Sequence, residues 1–313
     1  MLWIHRLYHR DTALFGAAYS RKKRGNRIVT SAIEHPSVSA VMDRLENEGF
    51  EIVRIMPDEN GNISAEAVAA AIDRKTILVS LMAVNNETGA VLPLRATRQA
   101  IDSVGAPALL HCDAVQAFGK IDCSVKRSGV DLLSASAHKI NGPKGVGFLY
   151  KSAKVHIEPL ILGGGQENGL RSGTESVPLI AGLRGAIEEM PSVKAFSEQM
   201  TELYSYATAK TNECGFAVIN SPENGVPYIL NISVPHFRSE TLLHFLEGYG
   251  IYVSSGSACS KGKGSSVLRA MGLSPERVDS ALRISFGRYN TKEDVDRLFD
   301  ALSVAVKTLR GSK

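Results

Sequence analysis

Cysteine is scarce in this sequence: there are four in 313 residues, at positions 112, 123, 214 and 259. No two form a CxxC pair, which excludes a thiol-pair redox motif and paired-cysteine zinc ligation, and no metal is expected. Free thiols in a reducing, cytoplasmic compartment are the simplest expectation. Long apolar runs are also missing. None approaches the roughly 18 residues that span a bilayer, and residues 1–10 lack the apolar centre of a signal peptide, so no membrane association is expected. Charge of one sign is in short supply too. Lys and Arg total 36 against 32 for Asp and Glu, a net +4, far from a nucleic-acid footprint, and no direct nucleic-acid contact is expected. The basic run Arg21-Lys22-Lys23-Arg24 reads as a solvated helix end. Internal repeats and low-complexity tracts are absent.

What is present is an ordinary globular composition, 44% hydrophobic and 22% charged. At about 150 residues per domain, two domains are expected. Apolar runs alternate with amphipathic stretches over the first two-thirds. Strands are predicted at residues 27–30, 51–55, 76–84, 108–112, 131–136 and 145–150. Helices are predicted at 37–48, 64–73 with Ser64 as N-cap, 93–104 and 177–190. Residues 76–84 are nearly all apolar, as in a strand buried on both faces. This βαβ rhythm predicts an α/β fold with a mostly parallel sheet over residues 1–195. Residues 196–313 turn more polar, with strands at 228–233 and 251–254 and helices at 240–247 and 291–306, which predicts a smaller C-terminal α+β domain.

Ligands of open parallel sheets bind at the carboxyl ends of the strands. Four predicted strand ends here finish in polar groups: His35, then Asn85-Asn86-Glu87-Thr88-Gly89, then Asp113-Ala114-Val115-Gln116, then Ser136-Ala137-His138-Lys139. Strand ends are often polar, so each is weak alone. Together they match the needs of pyridoxal phosphate (PLP), which requires a lysine amine for its aldehyde and a carboxylate for its pyridine nitrogen. Lys139 suits the first task and Asp113 the second. Asn86 and Gln116 are candidates for the ring's phenolic oxygen, His35 for its face, and Ser136 and His138 for the phosphate. Cys259 lies in a small-residue loop, Ser254-Ser255-Gly256-Ser257-Ala258-Cys259, followed by Lys261 and Lys263. Nearby lysines favour the thiolate, the reactive form.

These segments, together with Thr30-Ser31-Ala32-Ile33-Glu34-His35-Pro36, Gly163-Gly164-Gly165-Gln166-Glu167, Arg171-Ser172-Gly173-Thr174 and Arg283-Ile284-Ser285, resemble in order the hallmarks of the cysteine desulfurases. Those are class V aminotransferase-like, PLP-dependent homodimers of fold type I. The resemblance implies a cysteine desulfurase that takes sulfur from L-cysteine, releases L-alanine, and carries the sulfur as a persulfide to an acceptor protein for iron–sulfur clusters or tRNA thiolation. It implies Lys139 as the Schiff-base lysine, Cys259 as the nucleophile, and Asp113 as partner of the pyridine nitrogen. His35 would stack on the ring and move protons, while Asn86, Gln116, Ser136 and His138 would hold the cofactor. Thr174 would reach the phosphate from the partner subunit, and Arg283 would bind the substrate carboxylate, with Asn86 also at the substrate.

Residues 1–10 stand outside the resemblance, which begins near residue 12. The family carries a Gly-Thr-Glu type loop that binds the phosphate on backbone N–H groups at a helix start, and residues 1–10 contain no Gly-Thr. The expectation is therefore a truncated or frame-shifted product with an incomplete large domain, a missing sheet edge and weaker phosphate binding. Two alternatives stay open: a weakly active or inactive relative serving as a dimerising or sulfur-relay scaffold, and another PLP enzyme such as a selenocysteine lyase or an aminotransferase.

Overall fold

A computed structural model describes residues 2–5, 8–255 and 264–309, with side chains from residue 9 onward. The proposed nucleophile Cys259 lies outside the described residues. The chain divides into two compact units. The first contains Met1–Met56, Ile63–Val84 and Leu92–Val193; the second contains Pro57–Asn62, Asn85–Val91 and Lys194–Lys313.

The first unit is built on β1 (Leu2–His5), α1 (Tyr8–Arg21), β2 (Arg27–Ser31), α2 (Pro36–Asn47), β3 (Glu51–Ile55), α3 (Ala65–Ala71), β4 (Thr76–Met82), α4 (Leu94–Val104), β5 (Leu109–Asp113), α5 (Val125–Ser128), β6 (Leu132–Ser136), β7 (Val146–Lys151) and α6 (Val177–Glu188). Its sheet runs β1-β7-β6-β5-β4-β2-β3. Strands β3, β2, β4, β5 and β6 are parallel, while β7 and β1 add antiparallel pairs at one edge. Every residue of β4, β5 and β6 is buried, the pattern of parallel strands covered on both faces. The chain turns one way from β2 to β3 and the other way from β4 to β5. The carboxyl ends of β2 and β4 therefore flank a topological switch point, with those of β5 and β6 next in order.

One expectation is corrected here. The sheet edge foreseen as missing is filled by β1, which pairs Leu2 to Leu149 and His5 to Val146 along β7. The short run Leu2-Trp3-Ile4 has the aromatic and β-branched content that suits a strand. Helix α1 follows and buries Ala13, Leu14, Ala17 and Ala18 against Ile28, Met42, Leu45, Ile77, Leu132 and Ile157. Its Gly16 lets the backbone come close: a Cβ there would sit 2.5 Å from the Glu158 carbonyl oxygen.

The second unit holds α7 (Val193–Cys214), β8 (Val218–Ile219), β9 (Ile229–Ser233), α8 (Ser239–Glu247), β10 (Ser254–Ser255), α9 (Ser266–Ala270), α10 (Pro275–Asp279), β11 (Ala281–Ser285) and α11 (Lys292–Thr308). Its antiparallel sheet runs β10-β11-β9-β8. Helix α11 starts at a capping box in which Thr291 and Asp294 satisfy each other's backbone N–H, and it buries Val295, Leu298, Phe299, Leu302 and Ala305. Asn85–Val91 belong to this unit through hydrogen bonds: Val226 N–H donates to Gly89 O at 2.9 Å, and Asn231 Nδ2 donates to Glu87 O at 3.1 Å. Among the described residues, no helix is long and apolar enough to cross a membrane, and no cluster of metal-ligating side chains occurs.

Candidate functional site

The turn after β2 is tied to the neighbouring strand by Glu34. Its Oε1 accepts from Ser31 Oγ at 2.6 Å and from Met82 N–H at 2.9 Å. Burial pushes this carboxyl up to about 8, against the two hydrogen bonds, and the nearby Asp113 charge adds to the rise. Glu34 is therefore protonated at neutral pH, because desolvation outweighs the stabilisation of its charged form. The next residue, His35, caps α2. Its Nδ1 lies 3.1 Å from Ser37 N–H and 2.8 Å from Ser37 Oγ. With Nδ1 engaged in the cap, Nε2 is the nitrogen through which this ring would exchange a proton.

Asp113 closes β5, with its side chain 3% exposed. Its Oδ1 accepts from Val115 N–H at 3.0 Å. Its Oδ2 takes an ion pair at 2.9 Å from Arg10 Nη2, on a side chain only 8% exposed. Arg10 Nη1 also donates to Ser37 Oγ. Asp113, Arg10, Ser37 and His35 thus form one connected polar chain across β5, α1 and α2. Behind it, His111 is buried between Ser80 Oγ at 2.9 Å and Ser134 Oγ at 3.0 Å. Burial, then the charges of Arg10 and His9, push His111 down to about 3, so it is a neutral bridge across three strands.

β6 ends at Ser136, whose Oγ lies 2.7 Å from His138 Nδ1. A single 3-10 turn, Ala137–Lys139, then presents the lysine, and Gly142 N–H closes it by donating to Ala137 O at 2.9 Å. Lys139, His138 and Gln116 are half-buried. A second amine belongs to this region. Lys120 is pushed down to about 8, first by burial and then by the charge of Lys139. Sequence reasoning passed over Lys120, although it lies only four positions beyond Gln116, and it also passed over Arg10 and Glu34. Thr174 is exposed, in a segment shaped by Gly173 N–H donating to Gln166 Oε1 at 3.0 Å.

The remaining sequence candidates lie in the second unit. Arg283, on β11, donates from Nη1 to the Asn86 carbonyl at 3.0 Å. Beside them, Glu87 accepts from Ser265 Oγ, and burial holds its carboxyl above the usual range. Asn85 Oδ1 braces the turn by accepting from the N–H groups of Glu87 and Thr88, each at 2.9 Å. Two of the described cysteines are poor nucleophiles. Burial raises Cys112 well above the ordinary thiol range and pushes Cys123 up to about 12, while Cys214 donates to Thr211 O at 3.1 Å.

The donor set of the first unit suits PLP. A pair of neighbouring amines and the Ser136–His138 pair offer an amine for an aldehyde and hydrogen-bond donors for a phosphate. A buried carboxylate, held by Arg10, ends the adjacent strand.

The aminotransferase class-V family matches residues 11–298. The chain is 40% identical over 308 residues to a cysteine desulfurase IscS of Serratia proteamaculans, covering 96% of this chain and 75% of that protein. It is 36% identical over 307 residues to a cysteine desulfurase of Nostoc, covering 96% and 76%. Among solved structures, a NifS-like protein superposes with a TM-score of 0.90 at 37% identity, covering 98% of this chain and 82% of that one. SspA in complex with cysteine matches with a TM-score of 0.79 at 33% identity, covering 93% and 82%.

Proposed function

We infer what this chain does from one premise: it belongs to the class V aminotransferase family. It is a PLP-dependent cysteine desulfurase, which takes sulfur from L-cysteine and releases L-alanine. One observation carries the reading. The adjacent strands β5 and β6 end in a buried carboxylate at Asp113 and in a hydroxyl, an imidazole and an amine at Ser136, His138 and Lys139.

When bound, PLP supplies an electron sink for charge developing on the substrate carbons. The residues of the chain do the rest. Lys139 Nζ would hold the cofactor's aldehyde carbon, and Asp113 its ring nitrogen. Ser136 Oγ and His138 would hold the phosphate, Gln116 and Asn86 the phenolic oxygen, and His35 would cover the ring and move a proton at Nε2. Arg283 takes the substrate carboxylate, a task suited to a planar guanidinium with paired donors. Cys259, as thiolate, attacks the substrate sulfur. The cysteine Cβ–Sγ bond breaks, a bond forms between that sulfur and Cys259 Sγ, and a proton is delivered to Cβ. A thiol and a cysteine thereby become a persulfide and an alanine, the electrons gained by the β-carbon coming from the two sulfurs.

The chain works as a homodimer in which Thr174 serves the phosphate of the partner subunit. The exposure of Thr174, and of Leu162 at 78% and Val177 at 69%, supports this. The persulfide passes to an acceptor protein for iron–sulfur cluster assembly or tRNA thiolation, in a reducing cytoplasm suited to the free thiols at 112, 123 and 214. The test is to add PLP to the purified protein, follow the absorbance of bound cofactor, and measure alanine formed from cysteine. Wild type should gain the band and form alanine, and Lys139→Ala should lose both. A colourless wild type that forms no alanine would sink the reading.

A further inference from the structure

Arg10 is the feature that the family assignment does not absorb. The family match begins at residue 11, one position after it, yet its guanidinium lies 2.9 Å from the carboxylate that the proposed function gives to the cofactor's ring nitrogen. We propose that Arg10 is a built-in counter-ion competing with the cofactor's protonated ring nitrogen for Asp113, so that loading requires Arg10 to leave. The proposal rests on the PLP reading and deepens it by naming a residue that sets cofactor affinity.

Three observations support competition over cooperation. The first is charge. Asp113 is 3% exposed and Arg10 is 8% exposed, so the pair is electrically balanced out of contact with water. Exchanging one cation for another preserves that balance, whereas adding a second leaves an uncompensated buried charge. Glu34 beside the pair does not offset it, being protonated at neutral pH. The second is placement. Asp113 Oδ1 accepts from Val115 N–H and Oδ2 accepts from Arg10. The oxygen not committed to the β5 turn is therefore the one that Arg10 holds. The third is that Arg10 is poorly held apart from this contact. It lies in the first turn of α1, where the helix dipole disfavours a cation. Among the described residues its other side-chain bond goes to Ser37, and its buried Nε has no hydrogen-bond partner, so displacing it sacrifices little besides the ion pair.

The experiment uses the apoprotein of the full chain as wild type, Arg10→Met and Arg10→Lys. PLP is titrated into each, following the absorbance of bound cofactor, and thermal unfolding is recorded before and after loading. Competition predicts that Arg10→Met binds PLP at least about tenfold more tightly than wild type. It also predicts that Arg10→Met unfolds at a lower temperature when empty and gains more on loading, because the ring nitrogen then supplies the missing charge. Arg10→Lys, with a shorter reach and no paired donors, should fall between the two. It carries the test if Arg10→Met does not fold, and wild-type affinity in Arg10→Lys then counts against the proposal. Equal or weaker binding by Arg10→Met would overturn it by making Arg10 a supporting residue. If no variant develops the cofactor band, Arg10→Met included, the PLP reading itself has failed.

Discussion

Glu34→Gln should change how stability depends on pH, and the structure gives the size of the change. Glu34 titrates at 4.5 when unfolded and at about 8 in the folded protein. Its folded value is raised, so the stability it contributes is fully present below 4.5 and lost as pH rises toward 8. His111 acts in the opposite sense. It binds a proton below 6.5 when unfolded but only below about 3 when folded, so its effect favours folding as pH rises from 3 to 6.5. The two slopes oppose each other between 4.5 and 6.5, and Glu34 acts alone from 6.5 to 8. At about 1.4 kcal/mol per pH unit, that window of about 1.5 units removes roughly 2 kcal/mol from the wild type. The Gln variant keeps the acceptor for Ser31 and Met82 and carries no titration. Urea unfolding at a series of pH values, followed by circular dichroism, measures the difference between the two proteins. Wild type should lose about 2 kcal/mol relative to Glu34→Gln between pH 6.5 and 8. Parallel curves across that window would refute the claim that burial holds the Glu34 proton.

Two further predictions concern packing and substrate. Leu14→Ala, at a fully buried position on α1, should cost about 2–5 kcal/mol in urea unfolding by opening a cavity against the sheet; a cost below about 1 kcal/mol would show that α1 is not docked as described. Arg283→Lys should raise KM for cysteine by about tenfold or more in a steady-state alanine assay, because a single ammonium cannot hold a carboxylate with paired donors. An unchanged KM would remove Arg283 from the substrate site.

Much of the parallel sheet was legible because its signals are local. Residues 76–84 announced a doubly buried strand, and Thr76–Met82 is buried throughout. Ser64 was readable as an N-cap, and its Oγ accepts from Ala67 N–H at 3.0 Å. The polar strand ends were readable as well, since alternation places them. Helix α7 was missed although Phe196, Met200, Leu203, Ala207 and Thr211 form a buried stripe at helical spacing; the polar residues between them dominate the composition and hide the period. β11 was read as a motif and not as a strand, because pairing with β9 is not visible in five residues. The Arg10–Asp113 pair was beyond reach for a stronger reason. It joins residues far apart in sequence, and the arginine belongs to a stretch the family pattern does not cover. Lys120 was likewise hidden, since its significance comes from the nearby Lys139 charge and not from its sequence neighbours.

The central claim, that sulfur leaves cysteine for a thiol of this chain, is tested most directly by mass measurement. The PLP-loaded protein is mixed with L-cysteine in the absence of reductant, trapped with an alkylating reagent, digested, and analysed peptide by peptide. The account predicts that the peptide containing Cys259 becomes heavier by one sulfur atom, in step with alanine release. It also predicts that Cys259→Ala keeps the cofactor absorbance but gains no sulfur on any peptide. Sulfur appearing instead on Cys112, Cys123 or Cys214, or undiminished persulfide formation in Cys259→Ala, would contradict it.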